Sequence, residues 1–151
     1  MKTLKSFGIL GIGTYVPEKI MTNFDLEKIV DTSDAWIQKM TGIKERRIAA
    51  ENEATSDLAY NAAIKALNSS NTKAEDIDLI VVATMTPDYF TPSVSAILQK
   101  RLGAHHAAAF DLGAACSGFV YGLEAGGNFI ATGMYKKVLV IGAEVFSRIL
   151  D

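Results

Sequence analysis

The only cysteine in the chain, Cys116, lies in the segment DLGAACSGF, which runs from Asp111 to Phe119. An apolar run that predicts a strand precedes it, and a segment that predicts a helix follows it. A thiol at a helix N-terminus is near the positive end of the helix dipole and near unpaired N–H groups. Both favour the thiolate, and the N–H groups can stabilise the oxyanion formed when it attacks a thioester carbonyl. The pattern is compatible with a nucleophile, but position and composition alone favour the more ordinary interpretation, a small buried cysteine that fills the core.

Strands and helices alternate along the chain around this thiol. The predicted strands are residues 7–16, DLIVVATM, AAAFDLG and KKVLVIGAE. The predicted helices are TNFDLEKIV, TSDAWIQKM, TSDLAYNAAIKALNSS, one from Pro92 to about Leu102, and one from Ser117 to Thr132 that ends at Gly133. The segment TGIKERRIAA is polar and predicted to be partly extended. This alternation predicts an α/β fold with a mainly parallel sheet, in which ligands bind where strands lead into helices.

Composition limits the class of protein. A chain of 151 residues with 49% hydrophobic residues predicts a single domain over 1–151 with a substantial core. The net charge of -2 argues against a nucleic-acid binder, and a single cysteine excludes an internal disulfide.

No metal site is predicted, because His105 and His106 are adjacent and lack further ligands at recognised spacing. No apolar run reaches the roughly 18 residues of a membrane span, so we expect a cytoplasmic protein without a membrane partner.

A longer segment around the cysteine, DLGAACSGFVYGL, resembles the nucleophile segment of the thiolase-fold condensing enzymes, specifically of β-ketoacyl-acyl-carrier-protein synthase III. Other segments resemble that family in the same order: GTYVPEKIMTNFDLEKIVDTSDAWI, TGIKERRIAA, DLIVVATMTPDYFTPSVSAILQKRLG and VLVIGAEVFSR. The resemblance implies a thiolase-like fold in which a mainly parallel or mixed sheet is flanked by helices. It also implies that the chain is the N-terminal half of a two-half αβαβα architecture, and that the protein forms a homodimer.

The resemblance implies a decarboxylative condensation. Cys116 would accept a short acyl group from acyl-coenzyme A, and malonyl-acyl carrier protein would then lose carbon dioxide and attack the resulting thioester. No cofactor is expected, because the coenzyme A thioester is itself the substrate. The family uses a histidine and an asparagine that follow the nucleophile, whereas here only Asn128 follows Cys116 and both histidines precede it. We therefore expect these two residues to lie outside this sequence.

Three further residues receive roles from the resemblance. Trp36 would stack on the adenine of coenzyme A, and Thr32 would help to hold the base. The family pattern can have an arginine four residues after this tryptophan, where the present chain has Met40. Nearby basic residues are therefore the candidate ligands for the phosphates of coenzyme A: Lys39, Lys44, Arg46 and Arg47. Thr91 matches a position where many relatives have phenylalanine. In those relatives the side chain at this position forms the floor of the acyl pocket and comes from the other subunit of the dimer. The smaller threonine predicts room for longer or branched acyl groups.

Two alternatives remain open. The chain could belong to another thiolase-fold enzyme that acts on coenzyme A thioesters, such as a hydroxymethylglutaryl-coenzyme A synthase or a polyketide-type synthase. It could instead be a non-catalytic half-subunit that binds a partner or an acyl carrier protein.

Overall fold

The computed structural model describes residues 4–149, which divide into two compact units. The small unit contains residues 16–53 and 146–149. The large unit contains residues 4–15 and 54–145. Cys116 and Thr91 are therefore in the large unit, and Thr32 and Trp36 are in the small unit.

The small unit is built on a pair of short antiparallel strands. Its elements are β1 (Lys19–Thr22), α1 (Asn23–Leu26), α2 (Asp34–Thr41), β2 (Glu45–Ile48) and a single 3-10 turn at Phe146–Arg148. Strand β2 confirms the extended conformation predicted for TGIKERRIAA, whereas β1 was not predicted, because its KIMT sequence has no run of buried apolar residues.

Side-chain caps and one glycine set the ends of the small unit's helices. The Thr22 side chain accepts a hydrogen bond from the backbone of Asp25, and the Asp25 carboxylate bonds back to Thr22, which forms a capping box at the start of α1. Helix α1 is only one turn long, so the helix predicted over TNFDLEKIV is shorter than expected. Helix α2 confirms its prediction and ends at Gly42, whose φ of 73° is the left-handed conformation that glycine adopts readily.

The large unit is a parallel three-stranded sheet with helices on both faces, in the strand order β4-β3-β5. Its elements are α3 (Thr55–Ser69), β3 (Leu79–Ala83), α4 (Val94–Leu102), β4 (Ala108–Leu112), α5 (Gly118–Ala131) and β5 (Val138–Gly142). All six elements correspond to segments predicted from the sequence. The α/β class and the parallel sheet are confirmed.

The core of the large unit surrounds β3, every residue of which is buried. Successive side chains of a strand point to opposite faces of the sheet. Ile80 and Val82 join a cluster of buried residues contributed by α3 and α4, whereas Val81 lies beneath Gly122 of α5 on the other face. The three helices therefore form two layers, and the sheet between them presents the carboxyl ends of its strands at one edge.

The strand predicted over residues 7–16 is wrong. In the structure this segment belongs to no strand, and its large side chains are mostly exposed, including Phe7, Ile9 and Ile12. Its neighbour in space is a helix, because the Ile12 N–H donates to Ser69 Oγ at 3.0 Å. An apolar run becomes a strand only where another strand offers a ladder of hydrogen bonds, and the sequence of the run itself does not say whether one is there.

Candidate active site

Cys116 lies where β4 leads into α5, the junction predicted from the sequence. It is the centre of a single 3-10 turn, Ala115–Ser117, that ends where α5 begins. The turn is closed by the Ser117 N–H, which donates to the Ala114 carbonyl at 3.1 Å. The thiol is exposed among the described residues, so the core of the large unit does not bury it.

The residue before the cysteine has an uncommon backbone conformation. Ala115 has a φ of 45°, in the left-handed region that non-glycine residues adopt at a cost of about 1 kcal/mol or more. This sharp turn lets the chain change direction between strand and helix within a few residues. Such strained positions occur often at functional sites, and here the strained position adjoins the only free thiol of the chain.

Asp111, at the end of β4, links the cysteine-bearing segment to another helix. Its two carboxylate oxygens accept hydrogen bonds from the Val94 and Ser95 N–H groups, both at 2.8 Å. These N–H groups belong to the first turn of α4, which has no intrahelical partner for them. The carboxylate therefore fixes the start of α4 beside β4, the strand that leads into the Cys116 turn.

Glu144, which follows β5, likewise accepts hydrogen bonds from a segment that is distant along the chain. Its Oε1 accepts a hydrogen bond from the Met85 N–H at 2.7 Å, and its Oε2 accepts one from the Thr86 hydroxyl at 2.6 Å. The two carboxylates thus hold both ends of the connection between β3 and α4. These roles were not predicted from the sequence, because Asp111 and Glu144 bond to residues that are distant along the chain. The sequence signal that could have indicated them is an acidic residue near the end of a predicted strand.

Thr91 lies in the connection that these carboxylates hold. It is exposed, and it precedes Pro92 and the capping residue Ser93 of α4. Its neighbour Phe90 is fully exposed. The structure places Thr91 on an anchored surface segment of the large unit.

Helix α5 has its small residues on the sheet side and its large ones outside. Gly118, Gly122 and Gly126 are buried against β3 and β5. The exposed side carries large apolar residues: Phe119, Val120, Tyr121 and Leu123. The helix that begins after the cysteine is therefore close to the sheet, with a bulky apolar surface on its far side.

The small unit brings Thr32 and Trp36 together. They line a shallow depression of about 330 Å³ with Asp31 and Ser33. The Ser33 hydroxyl accepts a hydrogen bond from the Trp36 N–H at 3.2 Å and caps α2. Trp36 is 59% exposed, and an exposed indole offers a flat apolar surface to a planar ligand.

Two of the candidate phosphate ligands already have partners within the small unit. Arg46 donates to the Met21 carbonyl and to Asn23 Oδ1, and Arg47 donates to the Pro17 carbonyl. Both guanidinium groups therefore hold the β1–β2 region together. Met40 is exposed.

Neither a metal-binding cluster nor a membrane-spanning helix is found among residues 4–149. Among residues 4–149, no group of three or more histidine, cysteine, aspartate or glutamate side chains is placed to hold a metal ion. Over the same residues, the helices are too short or too polar for any to cross a lipid bilayer.

The parallel sheet flanked by helices, with an exposed thiol at a strand–helix junction, is a thiolase-like fold, as solved structures show. The structure superposes on the crystal structure of 3-oxoacyl-[acyl-carrier-protein] synthase III from Aquifex aeolicus with a TM-score of 0.92 and 50% identity, covering 99% of this chain and 47% of that one. It superposes equally well, with a TM-score of 0.92 and 35% identity, on the priming β-ketosynthase of the R1128 polyketide pathway, covering 95% of this chain and 43% of that one.

Sequence comparison finds similarity between the chain and one family of proteins. Residues 110–151 match the family model of 3-oxoacyl-[acyl-carrier-protein (ACP)] synthase III. Over 144 residues the chain is 60% identical to β-ketoacyl-[acyl-carrier-protein] synthase III of Caldanaerobacter subterraneus subsp. tengcongensis, covering 95% of this chain and 44% of that protein. The chain is therefore similar, over 95% of its length, to the N-terminal half of β-ketoacyl-acyl-carrier-protein synthase III proteins. It spans less than half the length of these relatives.

Proposed function

We propose that the chain is the nucleophile-bearing half of an acyltransferase that starts fatty-acid synthesis. Cys116 accepts a short acyl group from acyl-coenzyme A. The acyl group is then condensed with malonyl-acyl carrier protein, with loss of carbon dioxide, to give a 3-oxoacyl-acyl carrier protein. The observation that carries the proposal is the exposed thiol of Cys116 in a strained turn at the start of α5, in a chain 60% identical to a named synthase of this kind.

The first step is a thioester exchange. The Cys116 sulfur attacks the carbonyl carbon of acyl-coenzyme A, the bond from that carbon to the coenzyme A sulfur breaks, and coenzyme A leaves with the thiol proton. In the second step malonyl-acyl carrier protein loses carbon dioxide, and its α-carbon attacks the acyl carbon and displaces the Cys116 sulfur. The sequence resemblance gives this second step a histidine and an asparagine after the nucleophile, and in this sequence only Asn128 follows Cys116.

The coenzyme A part of the substrate is assigned to the small unit. Thr32 and Trp36 line one depression, and the exposed indole offers a flat apolar face of the kind on which an adenine stacks. No cofactor is required, because the acyl donor itself carries the coenzyme A. We further propose that the protein functions in the cytoplasm as a homodimer.

Mass spectrometry tests the acyl acceptor directly. We expect the chain incubated with acetyl-coenzyme A to gain one acetyl group, mapped by peptide analysis to Cys116, and we expect the Cys116→Ala variant to gain none. Reaction with iodoacetamide, followed in parallel, reports whether the thiol is accessible. A folded chain that reacts with iodoacetamide but not with acetyl-coenzyme A would exclude the acceptor role and favour a non-catalytic binding half.

Thr91 is proposed to set the acyl-group length. We expect the wild-type protein to accept branched and longer acyl groups from coenzyme A as well as acetyl groups. Thr91→Phe should lower the rates with the longer donors by about tenfold or more while the acetyl rate is kept, because it removes space for one or more methylene groups. Thr91→Val, of similar volume but without the hydroxyl, is the control for size. A strong acetyl preference in the wild-type protein would contradict the proposal.

The polyketide-type alternative has one observation in its favour, the superposition on the R1128 priming ketosynthase. The two alternatives differ in sequence identity, since the chain is 35% identical to the R1128 ketosynthase and 60% identical to the β-ketoacyl-[acyl-carrier-protein] synthase III of Caldanaerobacter subterraneus. Fatty-acid initiation is therefore the function that we propose.

A further inference from the structure

The small unit has almost no apolar core of its own. Of its described residues only Pro17, Asn23 and Ile37 are buried. Asn23 has no exposed surface, and it is the sole polar residue among the three. An asparagine is costly to bury unless its amide finds hydrogen-bond partners, so its contacts show what holds the unit together.

Every polar group of the Asn23 side chain has a partner. Its Nδ2 donates to Asp34 Oδ1 and to the Ile43 carbonyl, both at 2.8 Å. Its Oδ1 accepts a hydrogen bond from the Arg46 guanidinium at 2.6 Å. The backbone N–H of Asn23 donates to the Lys44 carbonyl at 3.1 Å. One side chain thus joins α1 to the start of α2 and to the segment that enters β2.

The partners of Asn23 extend the network into α2. The second oxygen of Asp34, Oδ2, accepts a hydrogen bond from Gln38 Nε2 at 2.7 Å. The Asp34 backbone N–H donates to the Glu27 carboxylate at 2.6 Å. Asp34 is therefore held from three sides, and it is the first residue of α2.

The first turn of α2 is also where the proposed adenine-binding residues lie. Thr32 and Ser33 immediately precede Asp34, and Trp36 follows in the same turn. Any movement of Asp34 shifts the backbone that carries these residues. We propose that Asn23 is a positioning residue for the coenzyme A-binding surface formed by Thr32 and Trp36, acting through Asp34. The assignment of a ligand to this surface rests on the proposed function.

Trp36 provides a direct measurement, because it is the only tryptophan in the chain. Fluorescence anisotropy of Trp36 reports how firmly the indole is held without ligand. Quenching on titration with free coenzyme A reports binding at the same residue. We expect Asn23→Ala to lower the anisotropy and weaken coenzyme A binding by about tenfold, while the far-UV circular dichroism and the iodoacetamide reactivity of Cys116 stay unchanged.

Two further variants separate positioning from general stability. Asn128→Ala removes an exposed asparagine from α5 and should leave both fluorescence readouts unchanged. Asn23→Asp places a carboxylate against Asp34 and should weaken binding more than Asn23→Ala does. Adding Asp34→Asn restores a donor between the two side chains, and we expect the double variant to recover part of both the anisotropy and the affinity.

The outcomes distinguish this inference from the proposed function. If Asn23→Ala has the wild-type anisotropy and the wild-type affinity, Asn23 does not position Trp36. If coenzyme A fails to quench Trp36 in the wild-type chain, the proposed ligand is wrong, and the anisotropy comparison by itself decides whether Asn23 orders the indole. If the double variant shows no recovery of anisotropy over Asn23→Asp, Asn23 does not act through Asp34.

Discussion

At the scale of single residues, three aspartates accept hydrogen bonds from backbone N–H groups at the ends of helices and strands. Asp111 accepts two at the start of α4, and Asp78 accepts two from the residues that precede β5. Asp25 accepts one from Thr22 at 3.0 Å and a second hydrogen bond from the Thr22 hydroxyl at 2.6 Å. An ionised carboxylate makes stronger hydrogen bonds of this kind than a neutral acid, so these contacts depend on the charge of the acid.

Asp25 gives the pH prediction at this scale. Its pKa is lowered from 3.8 to about 2, first by the Thr22 hydroxyl, then by the Thr22 N–H and then by Lys28. A lowered pKa in the folded state means that the contribution to stability is complete above the unfolded value and is lost as the pH falls towards the folded value. We therefore expect the cap of α1 to weaken between about pH 4 and pH 2.

Carbon-13 NMR of the Asp25 carboxyl group measures this pKa. Amide hydrogen exchange across residues 23–26 measures how stable the capped helix α1 is at each pH. Asp25→Asn should remove the pH dependence in that window. Lys28→Ala should have a smaller effect, since the Lys28 ion pair is exposed and is a lesser cause of the shift. A measured Asp25 pKa of about 3.8 would contradict the capping role.

The close approach of α5 to the sheet is the defining feature at the element scale. A Cβ on Gly122 would lie 3.0 Å from a methyl group of Val140, and one on Gly126 would lie 3.0 Å from a methyl group of Val138. A side chain at either position would press on these methyl groups, so the valine must give by a few tenths of an ångström or the helix must move away from the sheet. At the start of α5, a Cβ on Gly118 would lie 3.0 Å from the Cβ of Ala83 in β3, so the helix end beside the Cys116 turn also lies close to the sheet.

Gly122→Leu tests the packing of α5. We expect it to lower the free energy of unfolding of the large unit by about 3 kcal/mol, because the side chain enters a filled space against Val140 and Val81. Urea denaturation followed by circular dichroism measures the change. Glu124→Leu introduces the same side chain at an exposed position of the helix and should change stability by less than about 1 kcal/mol. Equal stabilities for the two variants would show that the glycine contact is dispensable.

At the scale of the whole molecule, the sequence predicted the parts of the structure that depend on local patterns. The apolar runs of β3, β4 and β5, together with the amphipathic α3, were sufficient to predict a parallel α/β sheet and to place Cys116 at its edge. The strand over residues 7–16 was wrong and β1 was missed, because whether a segment becomes a strand depends on which backbone lies beside it. The polar contacts of Asn23 and Asp111 could not be predicted either, since each joins residues that are brought together only by folding.

The glycines of α5 also have a consequence for the order in which the molecule folds. Each interior glycine makes an isolated helix less stable by about 1 kcal/mol relative to alanine, and a helix of this length is marginal in water even with a favourable sequence. Gly122 and Gly126 lie against Val140 and Val138, which belong to a strand that is synthesised after the helix. We therefore expect α5 to form only once β5 has joined the sheet, so that the turn around Cys116 acquires its final geometry late in folding.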